Sequence, residues 1–252
     1  MSNQNTKQGI SSTHIAFIAM FASVAGVLYI LNFKLPFAFP SFLEFKLSDI
    51  PILIGSFTLG PMSGGVIVVV EILIKLVIDG TTTMFVGELS DLITSCAFAV
   101  TAGIIYKRHR TFKGALVAMA IGTAVEVTVA ILINWLVLVP FYLQLFFGGN
   151  WEGLIGMMKP LFPACTKETF YNFYLWVSVL PFNLLRCLVA IVVTLLVYKR
   201  ISRMINSVNR KIYGKEGHDE QKSKKTTIIF ICVGVAIVAL LVTFALLRKF
   251  VF

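Results

Sequence analysis

The sequence predicts an all-α membrane protein: a six-transmembrane-helix bundle followed by a seventh, C-terminal transmembrane helix. Three observations carry this. Hydrophobic residues make up 58% of the 252 residues and charged residues 13%, against about 45–50% and about 25% in soluble domains. Mean hydropathy is +0.88. The apolar residues fall into runs near the bilayer length of about 20 residues, separated by short polar or basic segments. A soluble enzyme, a nucleic-acid-binding module and a disordered regulator are all excluded by that composition.

Taken in order, residues 1–13 are polar and precede an uncleaved first span at about 15–31. Segment 31–49 holds two prolines, two lysines and five phenylalanines. Proline removes a donor and clashes with the preceding turn, so an ordinary helix is ruled out. The segment is too apolar for a free loop and is expected to fold over a pocket or pack on the outer face. Residues 50–60 are apolar but too short to span alone, and Gly60-Pro61 breaks the helix. Spans follow at 62–78, 84–106, 115–139 and 175–198, with a long mixed stretch at 140–174. A last apolar run, 226–247, follows a hydrophilic linker. The expected organisation is an N-terminal segment (1–13), a membrane domain (14–200), a basic linker (201–225) and an additional helix (226–252).

Orientation follows from the distribution of Lys and Arg. The chain carries 22 of them against 12 Asp and Glu, a net charge of +10. Loop 107–114 and tail 199–225 are strongly basic and are expected in the cytoplasm. Counting back places the N-terminus in the cytoplasm and segments 32–49, 79–83 and 140–174 outside.

Charged residues inside spans cost roughly 2.5–3.5 kcal/mol each on the insertion scale, so each needs a partner or a purpose. They are Glu71, Lys75, Glu88, Asp91, Glu126 and Arg186. Topology puts Lys75, Glu88, Asp91 and Arg186 in the outer half, with Asn134 and, one turn before Arg186, Asn183. Three readings of these residues stay open. Glu71 can satisfy Lys75 at i, i+4 while Glu88 and Asp91 pair with Arg186. The groups can instead line a polar cavity open to the outside, or form an ion or proton relay. The balance of charges, the two amides and the aromatic residues Phe37, Phe39, Phe42, Phe45, Trp135 and Tyr142 suit a neutral, planar, polar-edged ligand. Phe42 and Lys46, from the segment above the spans, complete the candidate binding set.

Nothing in the chain cradles a phosphate, and no hydrolase, metalloprotease or redox motif is present. The cysteines Cys96, Cys165, Cys187 and Cys232 show no metal-ligand spacing. The expectation is a non-enzyme without metal or cofactor, whose energy for uphill transport comes from elsewhere. On helix one, Ala19, Ala22, Ser23 and Gly26 form a stripe of small residues on which another helix can pack closely.

The run PSFLEFKLSDIPILIGSFTLGPMSGGVIVVVEILIKLV, with GTTTMFVGELSDL after it, resembles the substrate-binding S components of energy-coupling factor (ECF) vitamin transporters, the riboflavin-specific type above all. The matching pieces are Phe39-Pro40-Ser41-Phe42-Leu43, Ser48-Asp49-Ile50-Pro51, Gly60-Pro61, Glu71 with Ile74-Lys75, and Gly87-Glu88-Leu89. NWLVLVPFY and LPFNLLR continue the likeness, which covers about residues 10–200. The resemblance implies capture of riboflavin from outside, with Asn134, Asn183 and Arg186 contacting the flavin and the loop after helix one closing over it. It implies docking, through the small residues of helix one, on a transmembrane T subunit carrying two ATPases. Glu44 and Lys46 depart from the family's usual Lys and Asp, and the seventh span is outside the usual six. S components for other vitamins (pantothenate, folate, thiamine), and a proton-coupled carrier or membrane enzyme, are the alternatives.

Overall fold

The computed structural model describes residues 12–40 and 43–213. Phe42 and the expected seventh span lie outside the described residues. Helix α1 (Ser12–Ile30) leads into a small antiparallel hairpin, β1 (Phe33–Lys34) and β2 (Glu44–Phe45), in the register Phe33↔Phe45 and Lys34↔Glu44. Then come α2 (Asp49–Leu59), α3 (Pro61–Ile78), α4 (Val86–Arg108) and α5 (Phe112–Ile133). A π-helical turn, Asn134–Leu138, connects α5 to α6 (Val139–Leu145). Short helix α7 (Trp151–Met158) precedes a second π-helical stretch, Asn172–Val179, and then α8 (Leu180–Tyr213).

Five helical stretches are long and apolar enough to cross a bilayer: Ser12–Ile30, Pro61–Ile78, Val86–Arg108, Phe112–Leu145 and Asn172–Leu196. Their outer faces carry exposed apolar side chains such as Val77, Leu188, Trp176 and Leu196, as lipid contact requires. Helix α2 is different. Its eleven residues reach about 16 Å at 1.5 Å each, short of the roughly 30 Å hydrocarbon core. Nine of the eleven are buried, so α2 is an internal strut packed by α1, α3, α4 and α8. The break after it is Gly60, at φ 101°, a left-handed conformation that glycine adopts without strain. Pro61 then starts α3.

Between helices in lipid, close packing replaces the hydrophobic drive, and small residues allow it. A Cβ on Gly103 would sit 2.2 Å from Ser56 Oγ; the contact lets Ser56 donate to the Ala99 carbonyl at 2.7 Å. Phe57 and Tyr106 stack at 4.2 Å beside it.

The two π-helical segments have a common cause. Pro140 and Pro181 lack an N–H and crowd the carbonyl four residues back. The preceding turn widens, so Val139 N–H donates to Asn134 O and Leu180 N–H to Leu175 O, each five residues back. The sequence reading ended the fifth span at 139 and left 140–174 irregular. The widened turn instead carries that helix on to Leu145. Likewise α8 continues to Tyr213, through the position where the basic linker was expected to begin.

Candidate functional site

A cavity of about 360 Å³ opens at the end of the bundle where the hairpin, the α3–α4 turn and the 146–172 segment meet. Two unlike walls enclose it. Lys75, Thr82, Thr83, Glu88, Ser90 and Asp91 make a polar wall from α3, α4 and their connecting turn. Opposite, Asn134, Tyr142, Phe147, Tyr174, Phe182 and Asn183 present amides and rings. Lys34, Leu43 and Glu44 of the hairpin region cover part of the opening. Phe39 and Phe45 anchor that cover, both packed edge-on against Phe182 at 5.2 and 6.2 Å.

Six of the eight candidate binding residues line this cavity: Asn134, Asn183, Arg186, Lys75, Glu88 and Asp91. Lys46 does not. It is 2% exposed and sits behind the wall, its Nζ 3.3 Å from Asp91 Oδ2 and 4.4 Å from the Tyr29 ring centre. The reason is that the chain turns inward after β2, carrying Lys46 below the hairpin instead of into the opening. Of the expected mouth aromatics, Tyr142 lines the cavity, while Phe37 and Trp135 point outward at 80% and 48% exposure.

The ion pairs differ from the simplest pairing by sequence spacing. Lys75 pairs with Glu88 at 2.7 Å, not with Glu71. Lys75 also donates to Gly80 O at 2.8 Å, and Thr81 and Thr83 donate to Glu88 Oε2 at 3.0 and 2.7 Å. Glu71 is fully buried near Ser48 and Lys46, and neither of its oxygens reaches good hydrogen-bond geometry with a donor among the described residues. Arg186 is held by carboxylates from three other helices. Its Nε lies 3.1 Å from Asp49 Oδ2, Nη2 lies 2.5 Å from Glu126 Oε1, and Nη1 lies 3.9 Å from Asp91 Oδ1. Asp91 also accepts from the Tyr29 hydroxyl.

The amides are not equivalent. Asn134 Nδ2 donates to Ala130 O, and its Oδ1 accepts from the Tyr174 hydroxyl. Asn183 Nδ2 donates to Val179 O, and its Oδ1 takes no hydrogen bond from the described residues. Asn183 therefore offers the freer acceptor to a ligand. Sequence reasoning missed Asp49, Tyr174, Thr82 and Thr83. Asp49 stood at the end of segment 31–49, expected to fold over a pocket or pack on the outer face, and Tyr174 fell just before the expected sixth span.

The stripe on α1 divides. Ala22 and Gly26 are buried, and a Cβ on Gly26 would lie 2.8 Å from Ile74 Cγ2 of α3. These two pack within the chain and are not available to a partner. Ala19 and Ser23 remain exposed.

A family model described as "ECF transporter, substrate-specific component" matches residues 13–198. A riboflavin transporter RibU of Staphylococcus aureus (strain TCH60) is 27% identical over 191 residues, covering 76% of this chain and 91% of that protein. A riboflavin transporter FmnP of Bacillus subtilis (strain 168) is 23% identical over 192 residues, covering 76% and 93%. A solved structure, described as "Structure and mechanism of the S component of a bacterial ECF transporter", superposes with a TM-score of 0.58 at 26% identity, covering 76% of this chain and 96% of that one. With its bundle of membrane-crossing helices, the chain is a multi-pass membrane protein and belongs to the family of substrate-specific components of ECF transporters.

Proposed function

We propose that this chain captures riboflavin at the outer face of the cell membrane and presents it to partner subunits for ATP-driven uptake. The cavity is the observation that carries the reading. Its volume lies within the range of small-molecule sites. Its lining charges balance: Lys34, Lys75 and Arg186 against Glu44, Glu88 and Asp91. That balance suits a neutral ligand. Flat rings on one wall and hydroxyls on the other suit a planar heteroaromatic molecule bearing a polyol. The names of the relatives support the same ligand. The basic stretch 107–114 and the start of α1 lie at the opposite end of the bundle from the cavity, and the bias of Lys and Arg supports an orientation with that end in the cytoplasm and the cavity outside.

Asn183, Asn134 and Arg186 are the contacts assigned to the ring edge, with Asp91, Lys75 and Glu88 beside them; Phe42 stays a proposed contact. The hairpin acts as a lid. The chain performs no catalysis in this reading. A T subunit and two ATPases supply the energy, and the exposed Ala19 and Ser23 of α1 are the remaining docking positions. Proteoliposome uptake tests this. The chain alone should bind riboflavin without concentrating it, and uptake should require the partners and ATP. Uphill uptake by the chain alone would refute the assignment of roles.

A further inference from the structure

Residues 46–48 join the hairpin to α2, and neither Asp49, the first residue of α2, nor Lys46, three residues before it, lines the cavity. Yet each is almost completely buried and reaches a group that does. Asp49 opens α2 at 1% exposure. Ser95 of α4 donates to its Oδ1 at 3.2 Å, and its Oδ2 stands 3.1 Å from Arg186 Nε. Glu126 of α5 takes the Nη2 side of the same guanidinium and is itself met by Cys187 Sγ at 3.4 Å. A guanidinium is a rigid plane with its N–H groups in fixed directions. Two carboxylates from different helices therefore fix that plane and leave Nη1 as the edge turned toward Asp91. Lys46 treats Asp91 in the same way, holding Oδ2 at 3.3 Å.

We infer that the root of the lid, Lys46 to Asp49, is the positioning element of the site: Asp49 sets the plane of Arg186, and Lys46 sets the carboxylate of Asp91. Neither residue touches the ligand. The same short segment continues upstream into Leu43 and Glu44, which cover the cavity. The seating of the lid and the orientation of the two charged groups are thus tied through four residues of chain. The inference rests on the cavity being the ligand site, and its experiment separates the two claims.

The experiment is a double-mutant cycle of Asp49→Asn and Arg186→Gln, read in detergent by ligand-free melting temperature and by quenching of riboflavin fluorescence. Asp49→Asn should weaken binding roughly tenfold or more in the wild-type background, because an arginine with one counter-ion removed can rotate out of plane. In the Arg186→Gln background it should change affinity less than about twofold. Asp49→Glu, which keeps the charge, should recover most of the loss. The absorption spectrum of bound flavin should shift in Asp49→Asn in the same direction as in Arg186→Gln. Equal affinity losses in both backgrounds would overturn the inference, as would lowered melting with unaltered affinity and spectrum. Should Asp49→Asn not fold, Ser95→Ala removes only the hydrogen bond to Oδ1. It should show the same dependence on background at smaller size, and no loss in either background overturns the inference. If the wild-type protein binds no riboflavin, the functional reading fails. The melting temperatures then still decide the pairing, non-additive shifts supporting it and additive shifts refuting it.

Discussion

Two buried ion-pair clusters border the same cavity and are built in opposite ways. The Lys75–Glu88 cluster is local. It joins the end of α3 to the start of α4 across the turn between them, and every charged atom is partnered locally: Lys75 Nζ by Glu88 Oε1 and Gly80 O, and Glu88 Oε2 by the hydroxyls of Thr81 and Thr83. The Arg186 cluster is assembled from α2, α4, α5 and α8, and it sets Arg186 and Lys46 against Asp49, Asp91 and Glu126. Several of its atoms, including Asp49 Oδ2, Arg186 Nε and Lys46 Nζ, are buried without good hydrogen-bond geometry. A satisfied, one-to-one pair resembles a staple that holds a turn. A distributed cluster in which Arg186 and Asp91 line the cavity while Lys46, Asp49 and Glu126 stand behind them resembles a frame that holds two charged groups toward a ligand.

The largest effect should come from Arg186→Ala. It leaves Asp49 and Glu126 buried without their cation, and breaking a buried pair in this way costs about 3–5 kcal/mol. Ligand-free melting should drop sharply and riboflavin affinity should fall by about a hundredfold or more. Retained melting would show that the cluster is not the strongly coupled one. Asn183→Leu should come next. It removes the freer amide acceptor, for about 1–3 kcal/mol of affinity, up to roughly a hundredfold, with little change in ligand-free melting. Unaltered affinity would take Asn183 out of the site. The smallest effect should come from replacing the staple as a unit. Lys75→Met with Glu88→Leu exchanges a buried pair for apolar side chains, which is often neutral. The double variant should melt near the wild type and lose less than about tenfold in affinity, about 1.4 kcal/mol. A loss as large as that of Arg186→Ala would erase the distinction between the clusters.

The same contrast explains what could be read from the sequence. Charged residues inside apolar runs are conspicuous, so Lys75, Glu88, Asp91 and Arg186 were legible as the polar lining. Their pairing was not, because partners such as Glu126 and Arg186 lie 60 positions apart and helix periodicity carries no information on which helices touch. Asp49 was visible only within the piece Ser48-Asp49-Ile50-Pro51 and had no role in the site there, because its helix is too short to give a membrane signal, although burial of that short helix is what makes its first carboxylate matter. Pro140 signalled a break, and the chain answered by widening one turn and continuing as helix. Ala22 and Gly26 were legible as a close-packing face, and the face turned out to serve α3. A docking test therefore belongs at Ala19 or Ser23, since a tryptophan at Ala22 would disrupt the bundle itself.

The most direct test of the central claim, that this cavity captures riboflavin, is an equilibrium titration of the purified, ligand-stripped protein followed by flavin fluorescence. The account predicts saturable quenching at one riboflavin per chain, strongly weakened by Asn183→Leu in a protein that still melts like the wild type. Absence of quenching in the wild-type protein, or quenching unaffected by Asn183→Leu and Arg186→Ala alike, would contradict it.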